Sequence, residues 1–187
     1  DEIEGSSIGP ESSGTAIIPG EGLPWPLAQT KAEADSTQGS CIQKDSRSVC
    51  KAGHPYIAYD LFAPQGTQIR AVSKGEVISA KVGSCGHGKN RAFTVSVFDS
   101  EKNTTYFYQH MDPDAGGVKK GDIIKPGDPI GKVGPSSAAC DTNPHLHIDA
   151  SAGKGRSACS RQGCSDTTKA KFIDIGPALF KGYEVLQ

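Results

Sequence analysis

Two histidines in residues 144–149, His145 and His147, are separated by a single apolar residue. The alternation of polar and apolar residues around them is typical of a β-strand, in which residues two apart point to the same face. Both imidazoles should therefore face one site, while Leu146 and Ile148 face the core. Because an imidazole can bind a metal ion or transfer a proton near neutral pH, such a pair could combine both roles. The alternative is a pair of surface histidines on an edge strand.

Three further residues could complete a metal site. His54 lies just before the first predicted strand and Asp60 lies within it, and His110 follows residues 105–109. A catalytic zinc ion typically has three protein ligands from histidine and carboxylate, and keeps one position open. His54, Asp60 and His147 would form such a set, which would leave His110 and His145 for proton transfer. Each residue also has a structural interpretation, since Asp60 could cap a turn and His110 could form a hydrogen bond at a strand end.

Eight short segments rich in β-branched and aromatic residues predict the strands that must position these side chains. They cover residues 56–62, 68–72, 76–82, 93–98, 105–109, 122–124, 129–133 and 145–150. Turns rich in Gly, Pro, Asn and Asp separate them, and one short helix is expected near Pro177. The pattern predicts an all-β fold, an antiparallel sandwich or barrel-sandwich hybrid with little helix.

The remaining sequence predicts a simple domain organisation. Residues 1–22 are rich in Gly, Ser, Glu and Pro and predict a flexible N-terminal segment. Residues 23–53 predict a leading segment, with Trp25 packed on the domain, followed by a stapled surface loop. Residues 54–187 form the predicted domain, with its core at 54–150 and a second stapled loop at 151–168.

The six cysteines predict disulfides and an oxidising compartment. They lie in polar, loop-like sequence, and none forms a Cys-x-x-Cys pair. The simplest of the possible connectivities joins Cys41 to Cys50, Cys159 to Cys164, and Cys85 to Cys140. Because disulfides persist outside the reducing cytosol, this favours an extracytoplasmic protein over one with six free thiols.

The formal net charge of −1 gives no indication of a nucleic-acid-binding surface or a polybasic membrane patch. No apolar run approaches the length that crosses a bilayer. We therefore expect no nucleic-acid or membrane partner for these residues. We also expect the protein to be a monomer.

The order of these motifs resembles the lysostaphin/LytM-type zinc endopeptidases of peptidoglycan, the duplicated hybrid motif family. The resemblance is carried by His54 with Asp60, by Tyr108-Gln109-His110, and by His145-Leu146-His147. Residues 60–72 resemble the family's first strand pair, and residues 118–131 resemble its last hairpin. The ordered combination is far more specific than any single motif. One departure is that five residues separate His54 from Asp60, more than in most members, although some relatives share the longer spacing.

The resemblance implies a LytM-like fold and a zinc-dependent hydrolase of peptidoglycan peptides. It implies that His54, Asp60 and His147 bind Zn²⁺. It also implies that His110 and His145 are the catalytic histidines, with His145 favoured as the base. Substrate contacts are expected at Asn90 and Tyr108, and His87 is expected on an exposed loop.

Two alternatives belong to other functional classes. The first is a catalytically silent LytM-like module that binds cell wall or activates another hydrolase. Degenerate modules typically lack ligands, whereas all five site residues are present here. The second is a biotinyl- or lipoyl-type carrier, which needs a lysine at a recognisable hairpin tip. Lys74 and Lys125 lack that context, and the histidines would be left unexplained.

Overall fold

A computed structural model describes residues 22–38, 53–85, 90–157, 159 and 164–187 of the chain. It contains eight strands: β1 Tyr59–Phe62, β2 Gln68–Arg70, β3 Gly75–Ser84, β4 Arg91–Asp99, β5 Thr104–Met111, β6 Ile123–Ile124, β7 Pro129–Lys132 and β8 His145–Ala152. Six of them form one antiparallel sheet in the order β1-β8-β5-β4-β3-β6, and β2 pairs with β7 in a second. The predicted antiparallel all-β fold is confirmed, and each predicted segment overlaps one strand.

The centre of the larger sheet is buried on both faces. On the core face, Leu61 lies opposite Leu146 and Tyr59 lies opposite Ile148, and all four side chains are fully buried. On the other face, Asp60 lies opposite His147 in the same β1–β8 pairing. Because strand residues alternate between the two faces, one register places both the core residues and the polar residues.

In the described part of the chain, four helical segments accompany the sheets: α1 Lys31–Gln38, α2 Asp166–Lys169, α3 Gly176–Glu184 and a 3₁₀ helix at Ser136–Ala139. The helix predicted near Pro177 is confirmed as α3. Within the described ranges, no helix is both long and apolar enough to span a membrane.

Helix α1 lies in a region where the sequence predicted only irregular loop. It begins with a capping box in which the backbone N–H of Thr30 donates to Glu33 Oε2 over 2.7 Å, and the N–H of Glu33 donates to Thr30 Oγ1 over 3.3 Å. Only Ala34 and Gln38 of this helix are buried. Such a narrow buried stripe produces almost no helical period in the apolar residues, so the prediction was wrong here.

The leading segment packs into the same core as the sheets. Leu23, Trp25 and Leu27 are each at most 5% exposed, and Leu27 pairs with Ile69 of β2. The backbone N–H of Leu23 donates to the carbonyl of Ala178 in α3 over 3.0 Å. The N-terminal and C-terminal ends of the described chain therefore stabilise each other, and the predicted packing of Trp25 on the domain is confirmed.

Two of the three predicted disulfides are present. Cys85, at the end of β3, is bonded to Cys140, which follows the 3₁₀ helix. Cys159 is bonded to Cys164 beyond β8. The predicted pair Cys41–Cys50 lies outside the described residues.

A substitution in α3 tests how closely the leading segment is held. A Cβ atom added at Gly182 would overlap the carbonyl oxygen of Leu23 and lie 2.7 Å from the backbone nitrogen of Trp25. Although alanine is normally favoured over glycine inside a helix, we expect Gly182→Ala to lower the free energy of unfolding by about 1–3 kcal/mol. Gly83→Ala is the control, because nothing lies within 4 Å of its added Cβ. Urea denaturation measures both, and equal stabilities would contradict the packing.

Candidate metal centre

The antiparallel pairing of β1 with β8 creates the centre of the site. His147 Nδ1 lies 3.0 Å from Asp60 Oδ1, on the face of the sheet opposite the core. His54 joins them, and one ligand atom from each of these three residues lies within 4.8 Å of the others. The structure thus brings the three predicted ligands together.

His54 reaches this group because the chain before β1 is not extended. Residues 56–58 were predicted as strand, but β1 begins only at Tyr59. Six residues of extended strand would have placed His54 about 20 Å from Asp60 along the chain. Instead, the His54 ring lies 4.8 Å from the ring of His147 and stacks on Tyr56 at 5.2 Å, centroid to centroid. The irregular turn therefore accommodates the long spacing between His54 and Asp60.

His110 reaches the site through a β-bulge. The β4–β5 register pairs Phe93 with Met111 but Val95 with Tyr108, so β5 contains one extra residue at this point. His110 has a φ of 66°, a left-handed conformation that is uncommon for residues other than glycine. The bulge interrupts the alternation between the two faces. The His110 ring consequently lies 4.7 Å from that of His145, whereas Met111 remains in the core.

Backbone carbonyls fix the orientation of the two histidines that are not candidate ligands. His110 Nδ1 lies 2.8 Å from the carbonyl of Ala138, and His145 Nδ1 lies 2.7 Å from the carbonyl of Asn143. A carbonyl oxygen can only accept, so each Nδ1 carries the proton and donates it. In the neutral form of each ring, the lone pair is therefore at Nε2. For His145 this atom is 3.7 Å from Asp60 Oδ1, at the centre of the site.

The pKa values of the three candidate ligands depend on burial and on their contacts with one another. Burial raises the pKa of Asp60, but the hydrogen bond to His147 and the nearby histidine charges together outweigh this and leave the pKa below its usual value. Burial lowers the pKa of His147, but bonds to Asp149 and Asp60 raise it overall. Burial and the neighbouring His147 lower the pKa of His54. Asp60 is therefore an ionised oxygen ligand beside imidazoles.

The three candidate ligands are of the types that fit a zinc ion. Two imidazoles and one carboxylate are the ligand types that catalytic zinc sites use, with one position left for solvent or substrate. Asp60 is part-exposed beside the buried His147. The centre is therefore open on one side, as a site that admits a substrate must be.

The two predicted substrate contacts have different positions. Tyr108 is fully buried, and its hydroxyl accepts a hydrogen bond from the backbone N–H of Val72 over 3.0 Å. This placement gives Tyr108 a packing role and leaves it no surface for a substrate. Asn90 is part-exposed and donates from Nδ2 to Asp141 Oδ2 over 2.8 Å. His87 lies outside the described residues.

Two residues of the site were missed by the sequence analysis. Asp149 Oδ2 lies 3.2 Å from His147 Nε2 and 2.8 Å from Arg156 Nη2. Strand alternation could have identified Asp149, because it lies two residues beyond His147 and therefore on the same face. No signal in the sequence identified Arg156, which lies after β8 where the chain folds back onto that strand.

The burial of His110 predicts a pH dependence of stability in the metal-free chain. Burial, with the charges of His145 and His147 nearby, lowers its pKa to about 3, against about 6.5 for an unfolded histidine. Between these values the unfolded chain binds the proton and the folded chain does not. Stability from this residue therefore falls as the pH decreases, by up to about 1.4 kcal/mol per pH unit.

We expect the metal-free wild type to lose stability more steeply than His110→Asn between about pH 6 and about pH 4. Asparagine tolerates the left-handed backbone at this position, so the substitution removes the ring without straining the bulge. Urea denaturation at several pH values measures both slopes. Equal slopes would show that His110 does not remain neutral in the folded chain.

Comparison with solved structures gives neighbours of low identity. Lysostaphin from Staphylococcus simulans, described as an antimicrobial peptidase, is 23% identical over 71% of this chain, with a TM-score of 0.48. The catalytic domain of the prophage-encoded M23 protein EnpA from Enterococcus faecalis is 32% identical over 54% of this chain and 68% of its own, with a TM-score of 0.42. LytU is 26% identical over 65% of this chain and 68% of its own, with a TM-score of 0.44.

The chain spans 45% of the length of the lysostaphin structure. A search of curated protein sequences returned no match. In contrast, the sequence model of Peptidase family M23 matches residues 55–158, more than half of the chain. The matched region contains Asp60, His110, His145 and His147, and His54 immediately precedes it. The chain therefore belongs to Peptidase family M23, the family of LytM- and lysostaphin-type peptidases.

Proposed function

We propose that this protein is a zinc-dependent endopeptidase that hydrolyses peptide cross-links of bacterial peptidoglycan. The observation that carries the proposal is the convergence of His54, Asp60 and His147, whose ligand atoms lie within 4.8 Å of one another. Membership of a peptidase family supports the reaction class. Two further histidines beside this group supply the proton-transfer groups that peptide hydrolysis requires.

Zinc would be held by His54, Asp60 and His147, and when bound it would polarise the scissile carbonyl and acidify a water molecule. Asp60 contributes a negative charge that offsets the charge of the ion. The three residues belong to a rigid strand pair and an adjoining turn, so their arrangement exists before the substrate binds. Such preorganisation reduces the reorganisation that the reaction itself would need.

His145 is the proposed first proton acceptor. Its Nδ1 proton is donated to the carbonyl of Asn143, so the Nε2 lone pair is directed toward Asp60. Nε2 can take a proton from the attacking water and deliver it to the leaving amine. His110 is held in the same tautomer by Ala138, and as a neutral ring it also offers a lone pair. It therefore suits a second proton-accepting role better than donation to an oxyanion.

The proposed location and domain plan follow from the same chemistry. The Cys85–Cys140 and Cys159–Cys164 disulfides support an extracytoplasmic protein, where peptidoglycan is found. We retain residues 1–22 as a flexible segment, 23–53 as a leading segment, and 54–187 as the peptidase domain. A monomer remains the proposed state.

A catalytically silent wall-binding module is the second candidate. It is favoured by one observation, namely that the family match begins at residue 55 and does not include His54. If His54 were not a ligand, only two protein ligands would remain and zinc would be held weakly.

Metal analysis distinguishes the two candidates. We expect the purified wild type to hold about one zinc ion per chain. His54→Ala and His147→Ala should each lose most of it, because each removes a ligand. His145→Ala should keep the metal, since this residue is not in the ligand set, and is the matched control. A folded wild type that takes up no zinc would favour the silent module.

Mass analysis of digested peptidoglycan tests the reaction. We expect the wild type to reduce the cross-linked muropeptides and to produce new peptide termini. His145→Ala should be slowed at least about 100-fold, because general-base catalysis typically contributes that much. Unchanged cross-links with a zinc-loaded wild type would reject the endopeptidase and leave the binding module.

A further inference from the structure

A buried charged group lies behind His147, on the side away from Asp60. Asp149 follows His147 by two residues on β8, so the two side chains share one face of the strand. Asp149 Oδ2 lies 3.2 Å from His147 Nε2, and the carboxylate is 1% exposed. An ionised carboxylate is rarely buried to this extent without a positively charged partner.

Arg156 supplies that positive charge. Its Nη2 lies 2.8 Å from Asp149 Oδ2 and also donates to the hydroxyl of Tyr56 over 3.2 Å. The guanidinium carbon lies 3.6 Å from the centre of the Phe107 ring. Phe107 is directly opposite Asp149 in the β5–β8 register, which explains why an arginine stacked on this ring meets the carboxylate.

The backbone after β8 folds back to deliver Arg156. Thr105 Oγ1 donates to the carbonyl of Gly153 over 2.7 Å and accepts from the backbone N–H of Gly155 over 3.0 Å. Both glycines have positive φ, 89° and 112°, which allows this tight return. The N–H of Ser157 then donates to Ser151 Oγ over 3.3 Å. Arg156 is thus fixed beside the strand by its neighbours on both sides.

We propose that Asp149, held by Arg156, is a positioning residue that fixes the imidazole of His147 with its Nδ1 lone pair directed at the metal. The inference rests on the proposed zinc site and adds to it a function for two residues outside the ligand set. A carboxylate accepts only, so its bond to Nε2 requires a proton on Nε2. The proton that Nδ1 donates to Asp60 in the metal-free chain is then the one that a bound cation would displace. Partners of this kind orient metal-binding histidines and raise their basicity.

Among the described residues, only His147 and Arg156 hold the Asp149 carboxylate. Oδ2 serves both His147 and Arg156, whereas Oδ1 is buried with no hydrogen-bond partner among the described residues. The carboxylate therefore has no alternative network to hold it. If Arg156 is removed, His147 is the sole remaining partner of a buried charge, a change that commonly destabilises a protein.

Substitutions of Asp149 separate the loss of its charge from the loss of its hydrogen bond. Oδ2 meets both His147 and Arg156, so in Asp149→Asn the amide oxygen can occupy that place and accept from both, while the negative charge is lost. Asp149→Leu removes the acceptor altogether and leaves the proton on His147 Nε2 without a partner. We expect Asp149→Leu to weaken zinc binding by about 10–100-fold, and Asp149→Asn to weaken it less, because the hydrogen bond that fixes the tautomer is kept.

Substitutions of Arg156 form the second part of the test. Arg156→Met should also weaken zinc binding, and Arg156→Lys, which keeps the charge but not the stacked fork, should weaken it less. In the double variant Asp149→Leu with Arg156→Met, zinc binding should be no weaker than in Asp149→Leu alone, because Arg156 acts through Asp149. Two residues that affected zinc binding independently would instead give additive losses.

The test measures zinc affinity by chelator competition at a single neutral pH, with thermal unfolding of each metal-free variant. Imidazole ¹⁵N NMR of the zinc-loaded forms reports which nitrogen of His147 carries the proton. Arg91→Met and Asp114→Asn are matched controls, because this exposed pair has the same residue types at 3.8 Å. Both controls should keep wild-type affinity.

Two negative results have separate meanings. A wild type that binds no zinc would reject the proposed function on which the inference rests. A wild type that binds zinc, together with an Asp149→Leu variant of equal affinity and the same His147 tautomer, would overturn the inference alone. Additive losses in the double variant would also contradict it.

Discussion

The antiparallel pairing of β1 with β8 is the constraint on which the rest of the site depends. A single register brings Leu61 against Leu146 in the core and Asp60 against His147 on the opposite face. A shift of one residue would reverse both faces at once. The apolar packing therefore stabilises the same arrangement that brings the carboxylate to the imidazole. No further interaction is needed to align Asp60 with His147.

Around this pair, backbone groups control most of the side-chain directions. The carbonyls of Ala138 and Asn143 set the tautomers of His110 and His145. The first of these carbonyls belongs to the 3₁₀ helix, which is followed directly by Cys140 and its disulfide to Cys85. A disulfide at this point limits how far the helix can move away from β3. The orientation of His110 is consequently linked to a covalent bond rather than only to local packing.

Strand positions and the shared face of His145 and His147 could be predicted from the sequence because both follow from simple periodicity. His54 and His110 could not be predicted in this way, because one lies in an irregular turn and the other on a bulge; they were identified by residue type and by the family resemblance.

The remaining differences depend on tertiary contacts. Helix α1 buries only Ala34 and Gln38, so its capping box was the single local signal. Arg156 is positioned by a return of the chain after β8, and Tyr108 is buried on the core face of β5.

The bulge in β5 lets two neighbours in sequence serve opposite faces of the sheet. Upstream of it, Tyr106 and Tyr108 face the core, and downstream of it Met111 does so, although an uninterrupted strand would have placed His110 there. A regular strand of the same length would turn the imidazole inward and the thioether outward. One irregularity of the backbone therefore couples the hydrophobic core to the metal centre, and a change that straightened β5 would disturb both together.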